Sequence, residues 1–216
     1  ILFLFITLAI GKLQAYINKR FFPFTILGLL ILLMLFVIKL KRFKKEEKEN
    51  ITIQSSLSFI VLLFPILLAV VVRPGSLPGL AAGKRGISQE FAGENVMEIL
   101  KAQIEMEGQY KKLNIKQILT LVKNKPEEID GKPVAVEGFV FKQNVSEKFI
   151  LVRFLITCCA ADATPLGIEV LYSNTGELKQ DIWVKVYGQC RIEEGKPVII
   201  AEEIKETQQP TDVYLY

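Results

Sequence analysis

The chain has 216 residues, half of them hydrophobic, with a formal net charge of +4, no histidine and three cysteines. Residues 1–90 hold 12 Lys/Arg against 4 Asp/Glu, whereas residues 91–216 hold 15 against 19. This composition predicts a basic membrane half joined to a mildly acidic soluble half, which argues against a nucleic-acid-binding face. The lack of histidine excludes the commonest general base, and three cysteines do not form a disulfide framework.

Three apolar runs within residues 1–73 predict a transmembrane region. Ile1–Gly11 is shorter than the about 20 helical residues that cross a bilayer. We interpret it as the tail of a truncated membrane helix, with a signal-peptide remnant as the alternative. Phe21–Leu40 and Ile51–Val72 are each long enough to span, and the bilayer tolerates a kink at Pro65 in the second run.

The loop between the two full-length runs sets the predicted orientation. Lys39–Asn50 holds six Lys/Arg, and short cytoplasmic loops are enriched in these residues. We therefore expect this loop in the cytoplasm, the lipid bilayer as a partner, and everything after Arg73 on the extracytoplasmic side.

Residues 74–113 are predicted to be a linker followed by an amphipathic helix. Arg73–Gly86 is rich in Pro, Gly, Ser and Ala and lacks periodicity, whereas Glu94–Leu113 has apolar residues at helical spacing. A stronger helix pattern follows at Asn114–Asn124. Its first residue can cap the helix, Gln117 stands at the capping-box position, and we expect this helix to cover one end of a sheet.

Residues 114–216 are predicted to contain five strands. Gly138 and Gly188 each interrupt an alternating stretch, as a strongly coiled strand requires, and a short turn joins the fourth strand to the fifth. This pattern predicts an extracytoplasmic, OB-like five-stranded β-barrel with a preceding helix, and another small β-barrel or sandwich is the rival. The alternating stretches are residues 132–143, 148–159, 165–173, 181–194 and 196–206.

Aromatic residues on these strands admit two interpretations. OB-type barrels often stack bases on aromatic side chains, so the aromatics could form an oligonucleotide platform. Packing in the barrel is the favoured interpretation, because an acidic extracytoplasmic domain meets little nucleic acid, and we therefore expect no nucleic acid partner. The residues concerned are Phe139, Phe141, Phe149, Phe154, Tyr172, Trp183 and Tyr187.

The stretch "TCCAADATP" ends the second predicted strand with two adjacent cysteines. Side chains alternate along a strand, so Cys159 shares a face with Arg153, and Cys158 shares the other face with Phe154. A regular strand therefore predicts Cys158 in the core and Cys159 as an exposed thiol. If the strand breaks at Cys159, both sulfur atoms can converge on one site.

Four interpretations of the two cysteines stay open. The first is core packing with a structural turn that the Asp162 side chain caps. The second is a soft-metal or metalloid site formed by Cys158 and Cys159 with help from Asp162 or Cys190, since thiolates prefer soft ions. The third is a disulfide, most plausibly to Cys190. The fourth is a redox or nucleophilic thiol, for which the chain has no activating histidine.

Five stretches, spread over nearly the whole chain, resemble one bacterial family. The most specific holds the motif TCCAADA, and the stretches are "YINKRF" (Tyr16–Phe21), "RGIS" (Arg85–Ser88), "PEEIDGKPVAVEGFVF" (Pro126–Phe141), "RFLITCCAADATPLGIEV" (Arg153–Val170) and "WVKVYG" (Trp183–Gly188). They are similar to the YcgQ-like membrane proteins, a permease-subunit family. The resemblance implies a bacterial plasma-membrane location and a multi-span permease partner, as in organoarsenical and metal-linked exporters. It carries over no functional site.

These observations predict a non-enzymatic, membrane-anchored accessory subunit of a two-component permease. Its barrel either captures or presents substrate at the cysteine motif, or merely stabilises the permease with the cysteines buried. The alternatives are a thiol-based redox protein or sensor using Cys158 and Cys159, and an oligonucleotide-binding OB domain. We expect no cofactor, and a soft metal ion at Cys158 and Cys159 is the one exception that stays open.

Overall fold

The structure is a computed structural model that describes residues 16–43, 79–91, 96, 99, 105–142 and 147–216. The apolar runs Ile1–Gly11 and Ile51–Val72 lie outside the described residues, and so do residues 44–50 of the basic loop. The chain divides into two units, each described by itself. One consists of Ile1–Ser76 with Cys158–Ala160, and the other of Leu77–Thr157 with Ala161–Tyr216.

The first unit contains helix α1, Phe22–Phe43, directly after a 3-10 turn. Asn18 caps this turn, because its side-chain oxygen accepts a hydrogen bond from the Arg20 backbone N–H at 3.0 Å. Pro23 lies in the first turn of α1, where its missing N–H has no helical partner. The predicted apolar run is therefore helical.

Helix α1 has the length and composition of a membrane-crossing segment. In the described part of the chain one helix meets this criterion, over Lys19–Ile38, with a mean hydropathy of 2.8. Its large apolar side chains are exposed, for example Phe24 at 67% and Met34 at 64%. Membrane anchors and signal sequences both contain such a helix.

The second unit is built on a mainly antiparallel sheet. Its strand order is β1-β2-β3-β4-β5-β7-β6, and β3 also pairs with β6, so the five long strands close into a ring. The pairs β2–β3 and β5–β7 are parallel. The strands are β1 (Met106–Glu107), β2 (Tyr110–Lys112), β3 (Pro133–Phe141), β4 (Lys148–Leu155), β5 (Thr164–Leu171), β6 (Trp183–Glu193) and β7 (Lys196–Glu206).

Two mid-strand glycines allow the strands of this ring to approach closely. A Cβ atom on Gly138 would lie 2.8 Å from the carbonyl oxygen of Val152, and one on Gly188 would lie 2.1 Å from that of Ile200. The ladder between β6 and β7 also shifts register beside Gly188. The predicted need for residues without Cβ at both positions is confirmed.

Helix α3, Ile115–Asn124, covers the core that the ring encloses. Its capping box is present as predicted, since the Asn114 side chain accepts from the Gln117 backbone at 2.9 Å and the Gln117 side chain accepts from the Asn114 backbone at 3.0 Å. The helix packs against β3, β4, β5 and β7. Its buried apolar side chains are Ile115, Ile118, Leu119, Leu121 and Val122.

The linker prediction is wrong over Gly79–Arg85, which forms a short packed helix, α2. Ala82 is fully buried, and the backbone N–H of Gly79 donates to Asp181 at 2.8 Å. Seven residues span only two turns, too few for periodicity to show in the sequence. The helix joins a second apolar cluster on the outside of the ring, which contains Ala82, Phe139, Val152, Phe154, Ile156, Ala163 and Tyr214.

The predicted amphipathic helix Glu94–Leu113 is wrong in its second half. Val96 and Ile99 are helical, but strands β1 and β2 follow as a hairpin in which Gly108 has a φ of +62°. The hairpin is held to β6 because Glu107 accepts hydrogen bonds from Lys185 and from the Tyr187 hydroxyl. These hydrogen bonds, Lys185 first, lower the pKa of Glu107.

Candidate functional site: the thiol loop

The thiol loop, Thr157–Ala163, lies between β4 and β5. The antiparallel ladder of these strands ends at the pair Leu155 and Thr164, so the residues between them leave the sheet. Ile156 donates its backbone N–H to the Leu215 carbonyl at 3.0 Å instead of continuing the ladder. Strand alternation therefore stops before it reaches the cysteines.

The prediction that Cys158 is a core residue is wrong. Cys158 is exposed and Cys159 is half-buried, whereas Arg153, assigned to the outward face, is only 8% exposed. The Arg153 guanidinium donates to the Asp212 carbonyl and lies 5.5 Å from the centre of the Trp183 ring. Both faces of β4 are buried, so its alternation does not separate inside from outside, and burial lowers the pKa of Arg153.

The two thiols of the loop lie side by side. The Sγ atoms of Cys158 and Cys159 are 3.6 Å apart, which is the convergence expected if the strand breaks. Both residues are present as thiols, as is Cys190. The structure thus brings together the two residues on which the metal and redox interpretations depend.

Backbone pairing within the first unit holds the two cysteine residues. The Asn18 N–H donates to the Cys158 carbonyl at 3.0 Å, and the Ala160 N–H donates to the Tyr16 carbonyl at 2.8 Å. Ile17 and Cys159 form the antiparallel bridge between these bonds. The main chain on both sides of Cys159 is therefore fixed by residues that directly precede α1.

Asp162 closes the loop as the sequence predicted. Its carboxylate accepts a hydrogen bond from the Thr157 backbone N–H at 3.2 Å, across the two cysteines. Ala160–Asp162 form a 3-10 turn, and the Thr164 hydroxyl donates to the Asp162 carbonyl at 3.4 Å.

Two residues that support the start of β5 were missed in the sequence. The Arg85 guanidinium donates to the Ala163 carbonyl. Ser88 donates its N–H to the Pro165 carbonyl at 2.9 Å and accepts from the Gly167 N–H at 2.9 Å. Both belong to the "RGIS" stretch, so the signal was present as a short motif inside what was interpreted as linker.

Cys190 lies in the main core of the second unit. Its side chain is fully buried, and its backbone N–H donates to the Lys132 carbonyl at 3.0 Å. Burial, with a smaller effect from the charge of Asp130, raises the pKa of the Cys190 thiol to about 12. A thiol in this setting packs as a small apolar side chain.

The complete set of proposed ligands, Cys158, Cys159, Asp162 and Cys190, stays a prediction. Over the described ranges, no three side chains of Cys, Asp or Glu are grouped so that they would hold one metal ion. What the structure assembles is a pair of sulfur atoms.

The aromatic residues of the strands pack rather than form an open platform. Phe139 stacks on Phe154 with ring centres 5.8 Å apart and meets Trp183 edge-on at 5.9 Å. Of the seven aromatics considered, Phe139, Phe149, Phe154 and Tyr187 are buried, and Phe141, Tyr172 and Trp183 are partly buried.

Comparison with solved structures gives OB-fold-like neighbours at low similarity. Asparaginyl-tRNA synthetase from Pyrococcus horikoshii matches 47% of this chain and 25% of its own, with 19% identity and a TM-score of 0.30. An OBody bound to hen egg-white lysozyme matches 38% and 85%, with 16% identity and a TM-score of 0.28. A small single-stranded DNA-binding protein from Streptomyces coelicolor matches 37% and 94%, with 14% identity and a TM-score of 0.26. Such scores carry no argument about function.

Comparison with known sequences identifies the family. UPF0703 protein YcgQ from Bacillus subtilis strain 168 is 28% identical over 101 residues, which are 43% of this chain and 35% of that protein. The match thus spans about a third of the relative's length, and the resemblance to YcgQ-like proteins is confirmed. Residues 1–88 match the model of the DUF1980 N-terminal domain and residues 89–216 match that of the DUF1980 C-terminal domain. The chain therefore belongs to the DUF1980 family.

Proposed function

We propose that this protein is a membrane-anchored accessory subunit of a two-component permease, and that the thiol loop presents substrate to a multi-span partner on the extracytoplasmic side. One observation carries the proposal. Two adjacent thiols, one of them exposed, lie on a main chain that pairs with the residues directly preceding the apolar helix α1. Reactive groups held beside a membrane helix suit a membrane-embedded recipient.

The predicted orientation agrees with this pairing. If α1 spans the bilayer with its basic C-terminal end in the cytoplasm, Tyr16–Asn18 lie on the opposite side. Their backbone partners Cys158–Ala160 then also lie outside. This is also the side that the chain reaches if a second span ends at Arg73, and both placements follow from the expected cytoplasmic position of the basic loop Lys39–Asn50 at the bacterial plasma membrane.

A small OB-like barrel would serve here as a rigid scaffold. OB-folds bind oligonucleotides on the face of their second and third strands, which correspond to β4 and β5. That face is occupied in this protein, because a Cβ on Gly167 of β5 would lie 2.5 Å from the Ile87 side chain. Val152 and Phe154 of β4 pack with Ala82 of α2. We therefore propose substrate presentation rather than oligonucleotide binding.

A thiol-based redox protein is the second candidate, favoured by the same 3.6 Å separation of the sulfur atoms. Mass analysis of the protein alkylated under non-reducing conditions separates the two functions. A permease subunit retains two alkylatable thiols in the loop, whereas a redox protein isolated in its oxidised state lacks them. A purely structural subunit needs no exposed thiol.

Thiol labelling on intact cells tests the proposal. In a Cys190→Ala background, a membrane-impermeant maleimide should label Cys158 without lysis, and a thiol-reactive crosslinker should join the loop to a multi-span membrane protein. Cys158→Ser with Cys159→Ser should abolish both signals. Labelling that requires lysis would contradict the location, and labelling without any crosslinked membrane protein would contradict the presentation role.

A further inference from the structure

We propose that Cys158 and Cys159 form a two-thiolate half-site for one tetrahedrally coordinated divalent ion of the Zn²⁺ class. Within the part of the chain that the structure describes, no third Cys, Asp or Glu joins the pair, so the remaining coordination positions are open to exchangeable ligands. This inference rests on the proposed function for the use of the site, and it names the class of substrate that the loop presents.

The separation of the sulfur atoms selects the coordination geometry. With metal–sulfur bonds of about 2.3 Å, sulfurs 3.6 Å apart subtend an angle of about 103° at the metal, near the tetrahedral value of about 109°. An ion that prefers linear coordination by two thiolates would need the sulfurs about 4.6 Å apart at the same bond length. The observed pair is therefore spaced for a tetrahedral ion.

The support around the pair is independent evidence for a preformed site. Hydrogen bonds fix the Cys158 carbonyl and the Ala160 N–H, which flank Cys159, and the Asp162 carboxylate closes the loop onto Thr157. The backbone that carries both sulfurs is thus held by hydrogen bonds to the rest of the chain. Less ordering entropy is then lost when an ion binds.

The number of ligands indicates transfer rather than storage. Structural zinc sites use four protein ligands and catalytic sites use three, whereas the loop offers two sulfurs from neighbouring residues. Water would fill any coordination position that no side chain takes. Ligands of a recipient can displace that water first and the thiolates afterwards, so the ion need not dissociate into solvent.

Binding at this site releases protons and involves no change of oxidation state. Each thiol loses its proton to solvent as its metal–sulfur bond forms, while coordinated waters leave the aqueous ion. Two protons are released per ion when both thiols bind. The apparent affinity should therefore rise with pH.

Cobalt substitution on the full chain in detergent micelles tests the inference. Under reducing conditions, Co²⁺ should give thiolate-to-metal absorption in the near ultraviolet together with the intense visible bands of tetrahedral cobalt, and Zn²⁺ should abolish both. Cys158→Ser and Cys159→Ser should each weaken Zn²⁺ binding by about tenfold or more, since each removes one of two metal–sulfur bonds. Cys190→Ala is the matched control and should bind within about twofold of the natural chain, because its thiol lies in the core.

A second measurement on the natural chain keeps the test valid if a variant misfolds. Zn²⁺ should slow maleimide alkylation of Cys158 and Cys159 without changing the exposure of Cys190. Octahedral cobalt spectra, unchanged alkylation, or retention of arsenite or Ag⁺ but not Zn²⁺ would overturn the inference. Those results leave the crosslinking test of the permease role unaffected, and a failed crosslink with normal Zn²⁺ binding would refute that role alone.

Discussion

The three cysteine side chains show how strongly surroundings decide what a thiol can do. Cys190 is enclosed by the core, whereas Cys158 faces solvent and has a second sulfur beside it. The thiolate is the form that binds metals and reacts, and burial in apolar surroundings disfavours it. Of the three thiols, those of the loop are therefore the ones whose surroundings permit thiolate chemistry.

The buried thiol of Cys190 predicts a loss of stability at alkaline pH. Its pKa is raised from 9.0 to about 12, so the folded chain keeps a proton that the unfolded chain releases above pH 9. The stabilisation is complete below about pH 9 and falls as the pH rises towards 12, by at most about 1.4 kcal/mol per pH unit. From pH 8.5 to 10.5, Cys190 should thus remove roughly 2 kcal/mol.

The comparison of Cys190→Ala with the natural chain isolates this effect. The free energy of unfolding is followed by the fluorescence of Trp183, the one tryptophan of the chain. The variant starts less stable at pH 8.5 because a buried sulfur is lost, but it should lose less stability between the two pH values. Tyr187, whose pKa is also raised to about 12, contributes equally to both proteins. Parallel pH profiles would contradict the prediction.

Some roles of individual side chains were predicted correctly from the sequence, and others were not. The Asn114–Gln117 capping box and the Asp162 turn are local, because a few neighbouring residues determine them. The exposure of Cys158 was predicted wrongly, since the alternation argument needs a strand that continues beyond Leu155. The end of that strand depends on Leu215, which lies far along the chain.

The strands and short helices follow the same division between local and distant causes. The hairpin of β6 and β7 was predicted, because Glu194 and Gly195 form its two-residue turn and both have positive φ. The β1–β2 hairpin was missed although Gly108 marks its turn, since the stretch also has apolar residues at helical spacing. The packing of α2 on the ring has no local signature.

The close approach of β6 and β7 predicts a large penalty for a methyl group at Gly188. Because a Cβ there would lie 2.1 Å from the Ile200 carbonyl oxygen and 2.9 Å from the Ala201 Cα, the backbone of one strand has to move. Gly188→Ala should lower the free energy of unfolding by on the order of 2–3 kcal/mol.

Gly176→Ala is the matched control, because no atom lies within 4 Å of the added Cβ. It should change stability by no more than about 0.5 kcal/mol. Denaturant unfolding of both variants gives the comparison. Equal effects of the two substitutions would contradict the penalty that we expect from the close approach of β6 and β7 at Gly188.

For the molecule as a whole, the boundary between the two family domains differs from the boundary between the two structural units. The C-terminal domain of the family begins at residue 89, but α2 and Ile87 pack on the outer face of the ring within the second unit. A fragment that starts at residue 89 therefore exposes an apolar surface that a fragment starting at residue 77 covers.

We predict that fragment 77–216 is more stable than fragment 89–216 by at least about 2 kcal/mol, because burying two or three apolar side chains contributes this much. The shorter fragment should also self-associate through the uncovered face. Denaturant unfolding and size-exclusion chromatography provide the measurements. Fragment 77–216 with Ala82→Asp should behave like the shorter fragment, and a stable, monomeric 89–216 would disprove the role of α2.

Sequence patterns predicted the five strands of the ring and the apolar helix but not how distant segments meet. The β3–β6 pairing and the contact between Ile17 and Cys159 join residues about 50 and 140 positions apart. Local propensity and periodicity contain no information about such pairs. These contacts between distant residues set the location of the thiols. The sequence therefore predicted which residues form the site but not where they lie.

The β-bridge between Ile17 and Cys159 also imposes an order on synthesis. Ile17 is translated about 140 residues before Cys159, so the first partner must wait while the residues between them are translated. Contacts between such distant residues form late. The two sulfurs therefore reach their fixed setting only after Cys159 has been translated, and chains terminated before that residue would not assemble it.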